Sequence, residues 1–500
     1  MKKKLSIITL VIQIVFGVNT LLGQERQNHN ELKAKIDTYL NSSVNNGYSG
    51  SILVAKKGDI ILSKGYGWAD RNNKILNTPS SVFNIGSVTK QFTAAAILKL
   101  VELGKLNLSD KIDVYYKEVP VDKKDITIHQ LLTHTSGVSP RTGGFRYDEA
   151  SKEQFLKEFL ESELQSTPGT KHQYANANYI LLADIIEKTA QKDYTSFLKE
   201  TFWEPLKMDH TGYKSISFNS EKLAHGFYFN YTEGIWKDWG TTQEQLPNSN
   251  NHWYSIGKGD IYSTVEDLHT WHVALENHSV LSARSKELLE KPHVAENEEE
   301  TSHYGYGWAI FKSKKGTKIV THNGSNGIYF ANFIRYIDDD VVVIVLSNSI
   351  LNSDSENVAW EIGKMISDTN YTPKPVTKLS YELVYDFINI HRFDKAEKLP
   401  DFLNENLRTK FRDKAVFNRI GFKRIAKEKE PAWGLELLKL NVQLFPNDGN
   451  LWDSLGDAYF TYKQKDNAIK AFSKALELKP TENCHWCKNS QSKLKQLKDL

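Results

Sequence analysis

The distribution of apolar and polar residues predicts antiparallel strands in two parts of the chain. Residues 50–55 and 60–65 are short runs rich in Ile and Leu, and a Lys-Lys-Gly-Asp turn separates them. Two such runs across a glycine-containing turn indicate a β-hairpin. The two-residue period returns between residues 304 and 348, where it predicts strands over 308–312, 318–322, 330–336 and 341–347.

Between these two parts the apolar residues follow a helical period. Residues 91–100 come shortly after Gly86 and predict a long helix that begins at Ser87. Residues 180–187 predict a second, amphipathic helix, which a polar loop precedes. The first part of the chain is therefore expected to combine strands and helices.

The length of the chain, 500 residues, predicts more than one domain. Pro373 and Pro375 prevent a helix from continuing, so residues 370–379 are predicted to form a linker. The pattern beyond this linker, over residues 380–500, is helical. We therefore expect a first domain over residues 30–369 and a second, all-helical domain after the linker.

The charge of the chain argues against a nucleic-acid partner. The net charge is only +3, and no long basic run with interleaved aromatic residues is present. The composition, in which 40% of residues are hydrophobic and 25% charged, is that of an ordinary globular protein. We expect a small-molecule or peptide substrate and no nucleic acid.

The first 23 residues predict an export signal. Three lysines at positions 2–4 precede a mostly apolar run over residues 5–18, and Gly23-Gln24 is a plausible cleavage point. The run is too short to span a membrane comfortably. We expect an exported protein, periplasmic or secreted, with no stable membrane span after cleavage; an uncleaved anchor is the alternative.

Cys484 and Cys487 are the two cysteines of the chain, three positions apart. In an exported protein this spacing predicts a short local disulfide, with two unpaired thiols as the alternative. A metal or redox role is a further alternative, although two cysteines and His485 make an incomplete metal site.

Ser87 and Lys90 carry the clearest catalytic chemistry. Residues three apart on a helix share a face, so the Ser87 hydroxyl and the Lys90 amine can meet. A lysine with a depressed pKa can take the proton of a serine, and free N–H groups in the first turn of a helix can stabilise an oxyanion. By itself this spacing is also compatible with a capped helix and a solvated lysine.

His134 and Ser136 also suggest a catalytic pair, but they are almost adjacent in sequence and no partner acid is evident. We therefore predict that the segment around them is a structural loop. Tyr174 and Asn176 lie in the polar loop before the second helix, where side chains can face a cleft. His322 stands at the end of a predicted strand.

Three motifs together resemble the catalytic motifs of the β-lactamase-like serine hydrolases. This family includes class C β-lactamases, D-alanyl-D-alanine carboxypeptidases, D-aminopeptidases and related esterases. The resemblance covers residues 37–368 and implies an α+β fold, in which helices flank an antiparallel sheet and a mostly helical insert is present. The three motifs are Gly86-Ser87-Val88-Thr89-Lys90, Tyr174-Ala175-Asn176 and His322-Asn323-Gly324.

The resemblance also implies a role for each motif residue. Ser87 would be the nucleophile, and Lys90 and Tyr174 would share the general acid and base work. To act as a base near neutrality, a tyrosine pKa of about 10 has to fall by roughly three units. No metal and no organic cofactor would be required. The residues expected to bind substrate are Asn176, His322, Gly324 and Ser325, with the backbone N–H groups of Ser87 and Ser325 as the oxyanion hole.

His322 is the departure from the family pattern that affects the expected substrate. Many members carry a lysine here, which offers a permanent cation to a carboxylate, whereas histidine is mostly neutral above a pKa of about 6.5. This favours an esterase, amidase or aminopeptidase over a carboxypeptidase or a β-lactamase. The alternative function is a non-catalytic or slowly deacylating peptide- or penicillin-binding protein, in which the C-terminal domain binds a partner.

The C-terminal domain resembles tetratricopeptide repeats. Residues 451–459 match one half of the repeat signature, and a weaker copy precedes them, so repeats are expected over about residues 415–480. Residues 490–500 would form a capping helix. Two interpretations stay open, a groove that binds a protein or peptide partner and a structural appendage. The signature residues of the second half are Ala468, Phe472, Ala475 and Pro480.

Overall fold

The structure, a computed structural model, describes residues 26–144, 148–213, 222–245, 252–349, 354–407, 409–427, 431–480 and 484–499. The chain divides into two compact units. The first extends to Phe227 and continues from Asp238 to Val376, and the second comprises Tyr228–Lys237 and Thr377–Leu500. The export signal predicted at residues 1–23 lies outside the described residues.

An antiparallel sheet forms the centre of the first unit, and within the described ranges it has eight strands in the order β2-β1-β14-β13-β12-β11-β10-β9. The strands of the chain are β1 (Gly50–Lys56), β2 (Asp59–Tyr66), β3 (Trp68–Asp70), β4 (Ile75–Leu76), β5 (Phe83–Asn84), β6 (Gly226–Asn230), β7 (Ile235–Gly240), β8 (Tyr262–Ser263), β9 (Val294–Ala295), β10 (Ser302–Tyr304), β11 (Ala309–Lys312), β12 (Lys318–Ser325), β13 (Phe330–Tyr336) and β14 (Val341–Ser347).

The central strands of this sheet are buried, and most of their residues are apolar, because helices cover them. Every residue of β13 and β14 is buried, and helices pack against these two strands. The predicted hairpin over residues 50–65 is present as β1 and β2. Lys57 and Gly58 supply its turn with positive φ angles of 52° and 82°. The predicted α+β fold with an antiparallel sheet is confirmed.

The helices of the first unit include α2, which is buried along almost its whole length. Two of them, α9 and α11, pack against the central strands. They are α1 (26–44), α2 (Lys90–Glu102), α3 (Ile128–Leu132), α4 (Lys152–Glu161), α5 (Asn176–Ala190), α6 (Tyr194–Leu198), α7 (Glu204–Leu206), α8 (Thr242–Gln245), α9 (Val265–Glu276), α10 (Ala283–Leu289) and α11 (Asp354–Ser367).

The second unit is helical apart from the end of the β6–β7 hairpin. Phe229 from this hairpin is part of the same hydrophobic cluster as Tyr385 and Phe387. Cys484 and Cys487 form a disulfide. The helices are α12 (Ser380–Ile390), α13 (Leu399–Asn406), α14 (Lys414–Lys427), α15 (Pro431–Leu444), α16 (Gly449–Thr461), α17 (Lys465–Glu477) and α18 (His485–Asp499).

Neighbouring helices of the second unit pack as the pairs α14–α15 and α16–α17, and α18 packs on α17. The packing is close, since a Cβ atom added to Gly456 would lie 2.5 Å from the ring of Phe472. These helices fit the predicted all-α domain, and their assignment to tetratricopeptide repeats stays a prediction. Across the described ranges, no helix has the length and apolar character that crossing a membrane requires.

Candidate active site

Ser87 and Lys90 meet at the point where α2 begins. The segment Gly86–Thr89 is a turn of 3-10 helix, and the α-helix itself starts at Lys90, three residues later than predicted. Gly86, the first residue of this turn, has a positive φ of 51°, a conformation that glycine adopts without steric cost. The predicted contact is nevertheless made, because Lys90 Nζ lies 3.0 Å from Ser87 Oγ.

Lys90 is fully buried, and uncharged oxygen atoms from separate segments surround its amine. Its Nζ donates to Ser87 Oγ, to Asn176 Oδ1 at 2.9 Å and to the backbone carbonyl of Lys258 at 2.8 Å. A buried amine is stable only when its hydrogen-bonding capacity is satisfied. The three contacts therefore hold three parts of the chain together around one nitrogen.

The Lys258 carbonyl is a part of the site that the sequence reasoning missed. It belongs to a loop that passes close to the backbone of α5. Glycine at position 257 permits this approach, since a Cβ atom there would lie 2.4 Å from the Tyr179 carbonyl oxygen. Thr93 Oγ1 donates to the Gly257 carbonyl at 2.6 Å and ties the loop to α2. A backbone acceptor leaves no side-chain signature, so only the pair of glycines around Lys258 could have pointed to it.

Tyr174 lies between Lys90 and His134. Its ring centroid is 4.9 Å from Lys90 Nζ and 4.2 Å from the centroid of the His134 ring. Burial raises the pKa of Tyr174 above its usual value, and a hydrogen bond with Ser87 opposes this only in part. The expected fall in the pKa of Tyr174 is therefore wrong for the resting site. Tyr174 is a neutral phenol there.

His134 and Ser136 hydrogen-bond to the segment that follows Tyr174. In the described structure they form no catalytic triad. His134 Nδ1 accepts a hydrogen bond from the Ala175 backbone N–H at 3.2 Å. Ser136 Oγ donates to Asn178 Oδ1 at 2.7 Å, close to the start of α5. Burial lowers the pKa of His134 well below its usual value, so the ring is neutral. Both residues are structural, as predicted.

His322 lies inside a strand and not at its end, because β12 continues to Ser325 through its pairing with β13. Its Nδ1 atom is 2.6 Å from the Asn323 carbonyl oxygen, so this nitrogen carries the hydrogen and donates. The Tyr304 hydroxyl, which the sequence reasoning had not placed in the site, donates to His322 Nε2 at 3.0 Å. Burial, assisted by Lys90, lowers the pKa of His322 to about 3.

Two glycines allow β12 to pass directly beside the Ser87 turn. A Cβ atom on Gly324 would lie 2.1 Å from the Ile85 carbonyl oxygen and 2.7 Å from Ser87 N. A Cβ atom on Gly86 would lie 2.7 Å from Ser325 N. The backbone nitrogens of Ser87 and Ser325 are thereby brought to the same place, as an oxyanion hole requires.

The Ser87 hydroxyl opens onto a cleft of about 440 Å³. Tyr174, His322, Gly324 and Ser325 line the cleft with Ser87, whereas the predicted site residues Lys90 and Asn176 are not part of the lining. The sequence reasoning missed another part of the cleft wall, because its members share no motif and come from the strands β9 to β11 and from α11. This part of the wall includes Glu296, Phe311, Glu356 and Trp360.

Potential metal ligands lie together elsewhere in the first unit. Ligand atoms of Asp70, His225 and Asp238 lie within 4.8 Å of one another. Protein groups already bond both carboxylates, since Asp70 accepts from the Asn73 backbone and side chain and Asp238 accepts from the Gly240 N–H. None of the three lines the cleft at Ser87. We assign this cluster no part in the site.

The first unit is similar to known penicillin-binding proteins. Residues 34–362 match the family model described as Beta-lactamase. Penicillin-binding protein 4* of Bacillus subtilis (strain 168) is 31% identical over 329 residues, 64% of this chain and 72% of that protein. Protein flp of Staphylococcus aureus (strain NCTC 8325 / PS 47) is 29% identical over 372 residues, 71% of this chain and 67% of that protein.

Solved structures give the same result for the fold. The octameric penicillin-binding protein homologue from Pyrococcus abyssi has a TM-score of 0.59 and 25% identity, and the match covers 71% of this chain and 81% of that one. The D-amino acid amidase from Ochrobactrum anthropi SV3, complexed with L-phenylalanine amide, has a TM-score of 0.58 at 22% identity. That match covers 67% of this chain and 99% of the amidase chain and concerns the fold alone.

The buried state of His322 predicts a pH dependence of stability. Its pKa is about 3 in the folded chain against 6.5 for an exposed ring, so the unfolded chain takes up the proton first as pH falls. The stabilisation is present above pH 6.5 and is lost toward pH 3, at about 1.4 kcal/mol per pH unit. Between pH 7 and pH 5, we expect wild type to lose about 2 kcal/mol more unfolding free energy than His322→Gln in urea denaturation.

The matched control is His303→Gln, a half-buried histidine on β10. This variant should keep the pH dependence of wild type. An identical pH dependence in wild type and His322→Gln would show that His322 is not held neutral by burial.

Proposed function

Because this chain belongs to the β-lactamase family, we propose that it is a serine hydrolase that cleaves an ester or an amide through an acyl-enzyme on Ser87. The observation that carries the proposal is the 3.0 Å contact between Lys90 Nζ and Ser87 Oγ at the wall of the cleft. We further propose, from the pattern of residues 1–23 alone, that the protein acts after export, in the periplasm or outside the cell.

The Lys90 contacts suit the role of a base toward Ser87. Lys90 acts as a base in its neutral form, in which the amine has two N–H donors and one lone pair, so the hydrogen bond at Ser87 then runs from the hydroxyl to the amine. Asn176 Oδ1 and the Lys258 carbonyl, at 2.9 and 2.8 Å, can accept the two N–H bonds. The lone pair then faces Ser87 Oγ, ready to accept its proton while the oxygen attacks the substrate carbonyl carbon. The oxygen of that carbonyl becomes an oxyanion, which the N–H groups of Ser87 and Ser325 stabilise.

Tyr174 fits the role of the acid that follows. Because it is a neutral phenol in the resting site, it holds a proton that it can give to the departing oxygen or nitrogen when the scissile C–O or C–N bond breaks. Proton transfer from Lys90 then restores the phenol. In the second half of the reaction a water molecule attacks the ester at Ser87, its proton passes to this Lys90–Tyr174 pair, and Ser87 Oγ leaves with a proton.

A second candidate is a protein that is acylated at Ser87 and deacylates slowly. The raised pKa of Tyr174 favours it, because a neutral phenol is a poor base toward water. The relative from B. subtilis is itself named a penicillin-binding protein. The two candidates differ in the fate of the acyl-enzyme, since a slow deacylation gives a burst of one product per Ser87 followed by a slow steady rate.

Replacing the nucleophile should abolish the reaction. We expect Ser87→Ala to lower the rate of hydrolysis of a chromogenic ester by a factor of about 10³ or more, because no other group can form the acyl-enzyme. Stopped-flow kinetics would separate a burst from steady turnover, and intact-protein mass would detect the acyl adduct. Ser109→Ala, at an exposed serine, should react like wild type. Ester hydrolysis that survives in Ser87→Ala would refute the proposal.

Removing the phenol should slow the reaction without abolishing acylation. We expect Tyr174→Phe to lower kcat by about 10²–10⁴, the usual contribution of a positioned acid or base, while the adduct on Ser87 still forms. Tyr115→Phe, at a tyrosine that does not line the cleft, is the control. A near-normal kcat in Tyr174→Phe would contradict the acid role of Tyr174 and would assign the proton transfers to Lys90 alone.

A further inference from the structure

The part of the cleft wall formed by Glu296, Phe311, Glu356 and Trp360 carries negative charge. Glu296, directly after β9, and Glu356, in the first turn of α11, both line the cleft with Ser87. No lysine or arginine stands among the described residues that line it. The buried amine of Lys90 is engaged behind Ser87 and is not part of this lining.

Among the described residues, the groups that hydrogen-bond these two carboxylates are neutral and do not compensate their charge. Ser302 Oγ donates to Glu296, and Asn323 Nδ2 donates to Glu356 at 3.3 Å. Within the part of the chain that the structure describes, neither glutamate has a cationic side chain within 4.0 Å. After burial and the opposing Ser87 hydrogen bond, the charge of Glu296 also helps to raise the pKa of Tyr174, so its field reaches the catalytic residues.

The same wall contains two aromatic rings. Phe311 on β11 and Trp360 on α11 both line the cleft, with ring centroids 5.7 Å apart, and both are partly exposed. The faces of aromatic rings attract cations, and so do carboxylates. The carboxylates and the aromatic rings in this part of the wall therefore both favour a positively charged ligand.

A substrate carboxylate would have no counterpart here. His322 is neutral over the physiological range because its pKa is about 3, and the Asn323 carbonyl and the Tyr304 hydroxyl already occupy its two ring nitrogens. A carboxylate in the cleft would instead lie near Glu296 and Glu356, where like charges repel.

We propose that Glu296 and Glu356, with Phe311 and Trp360, select substrates that carry a positively charged amine, such as α-amino esters and α-amino amides, and reject substrates that carry a carboxylate in its place. The inference rests on the proposed function, since it names the substrate class of the same cleft. The two glutamates act on selection and take no part in the bond-breaking step.

Three p-nitroanilides of phenylalanine would test the selection, because they share the scissile bond and the side chain and differ in the group on the α-nitrogen, which sets the charge. The free amine is a cation, the N-acetyl compound is neutral and the N-succinyl compound is an anion. We expect wild type to hydrolyse the cation with a kcat/KM at least about tenfold above the neutral compound, and the anion most slowly. Both stereoisomers of each compound should be measured. The preference should weaken as the salt concentration rises.

The variant that tests the residues is the double change Glu296→Gln and Glu356→Gln. It should bring the ratio of the cation's kcat/KM to that of the neutral compound close to one, because the charge interaction with the amine is removed. The ratio is the readout, since the charge of Glu296 also acts on Tyr174 and the change can alter the rates of all three compounds together. The control is Glu298→Gln with Glu299→Gln, which changes the net charge equally at two exposed residues that do not line the cleft. The control should keep the preference of wild type.

A binding measurement distinguishes a failure of the proposed selection from a failure of the proposed serine hydrolase function. Calorimetry with Ser87→Ala would compare phenylalanine amide with its N-acetyl form, and tighter binding of the cation by about tenfold would support selection even without turnover. Equal binding of the two, or equal rates for the three anilides, would overturn the selection. Ser87-dependent hydrolysis of the neutral compound would then still support the proposed serine hydrolase.

Discussion

The burial of one amine is the constraint on which the catalytic end of this protein depends. Lys90 has no access to solvent, so protein atoms must satisfy its hydrogen bonds. The acceptors come from the turn before α2, from the start of α5 and from the loop at Lys258. These segments are far apart in sequence, and each is fixed by further contacts. A single interior nitrogen therefore determines how they meet, and Ser87, the proposed nucleophile, is one of its partners.

The second constraint is the close approach of backbones. The strand β12 runs so near the Ser87 turn that neither Gly86 nor Gly324 could carry a side chain. Because the oxyanion site would be made of backbone N–H groups, its geometry depends on this approach more than on any side chain. The same strand carries His322, whose neutral ring joins Tyr304 to the strand. The precision of the site thus comes from the sheet and its pairing.

The sequence could predict what depends on local pattern. The strands Phe330–Tyr336 and Val341–Ser347 were predicted residue for residue, since their apolar runs are bounded by a polar turn. The contact of Ser87 with Lys90 follows from a spacing of three. The Lys258 carbonyl and the grouping of Tyr228–Lys237 with the C-terminal helices have no local pattern, because long-range packing decides both. The direction of the pKa shift of Tyr174 was also predicted wrongly, since burial outweighs its polar neighbours.

This division has a physical consequence for how one fold accommodates different substrates. The buried network around Lys90 tolerates little change, because a lost partner leaves a polar group unsatisfied inside the protein. The part of the cleft wall that holds Glu296 and Glu356 lies outside this buried network. Glu296 and Glu356 belong to a strand edge and to the first turn of a helix, and each has solvent on one side and makes few contacts. A charge there can change without removing a hydrogen bond from the Lys90 network, since charges act over distances at which packing does not. If the proposed selection holds, substrate preference and the positioning of Ser87 depend on different elements of the same unit.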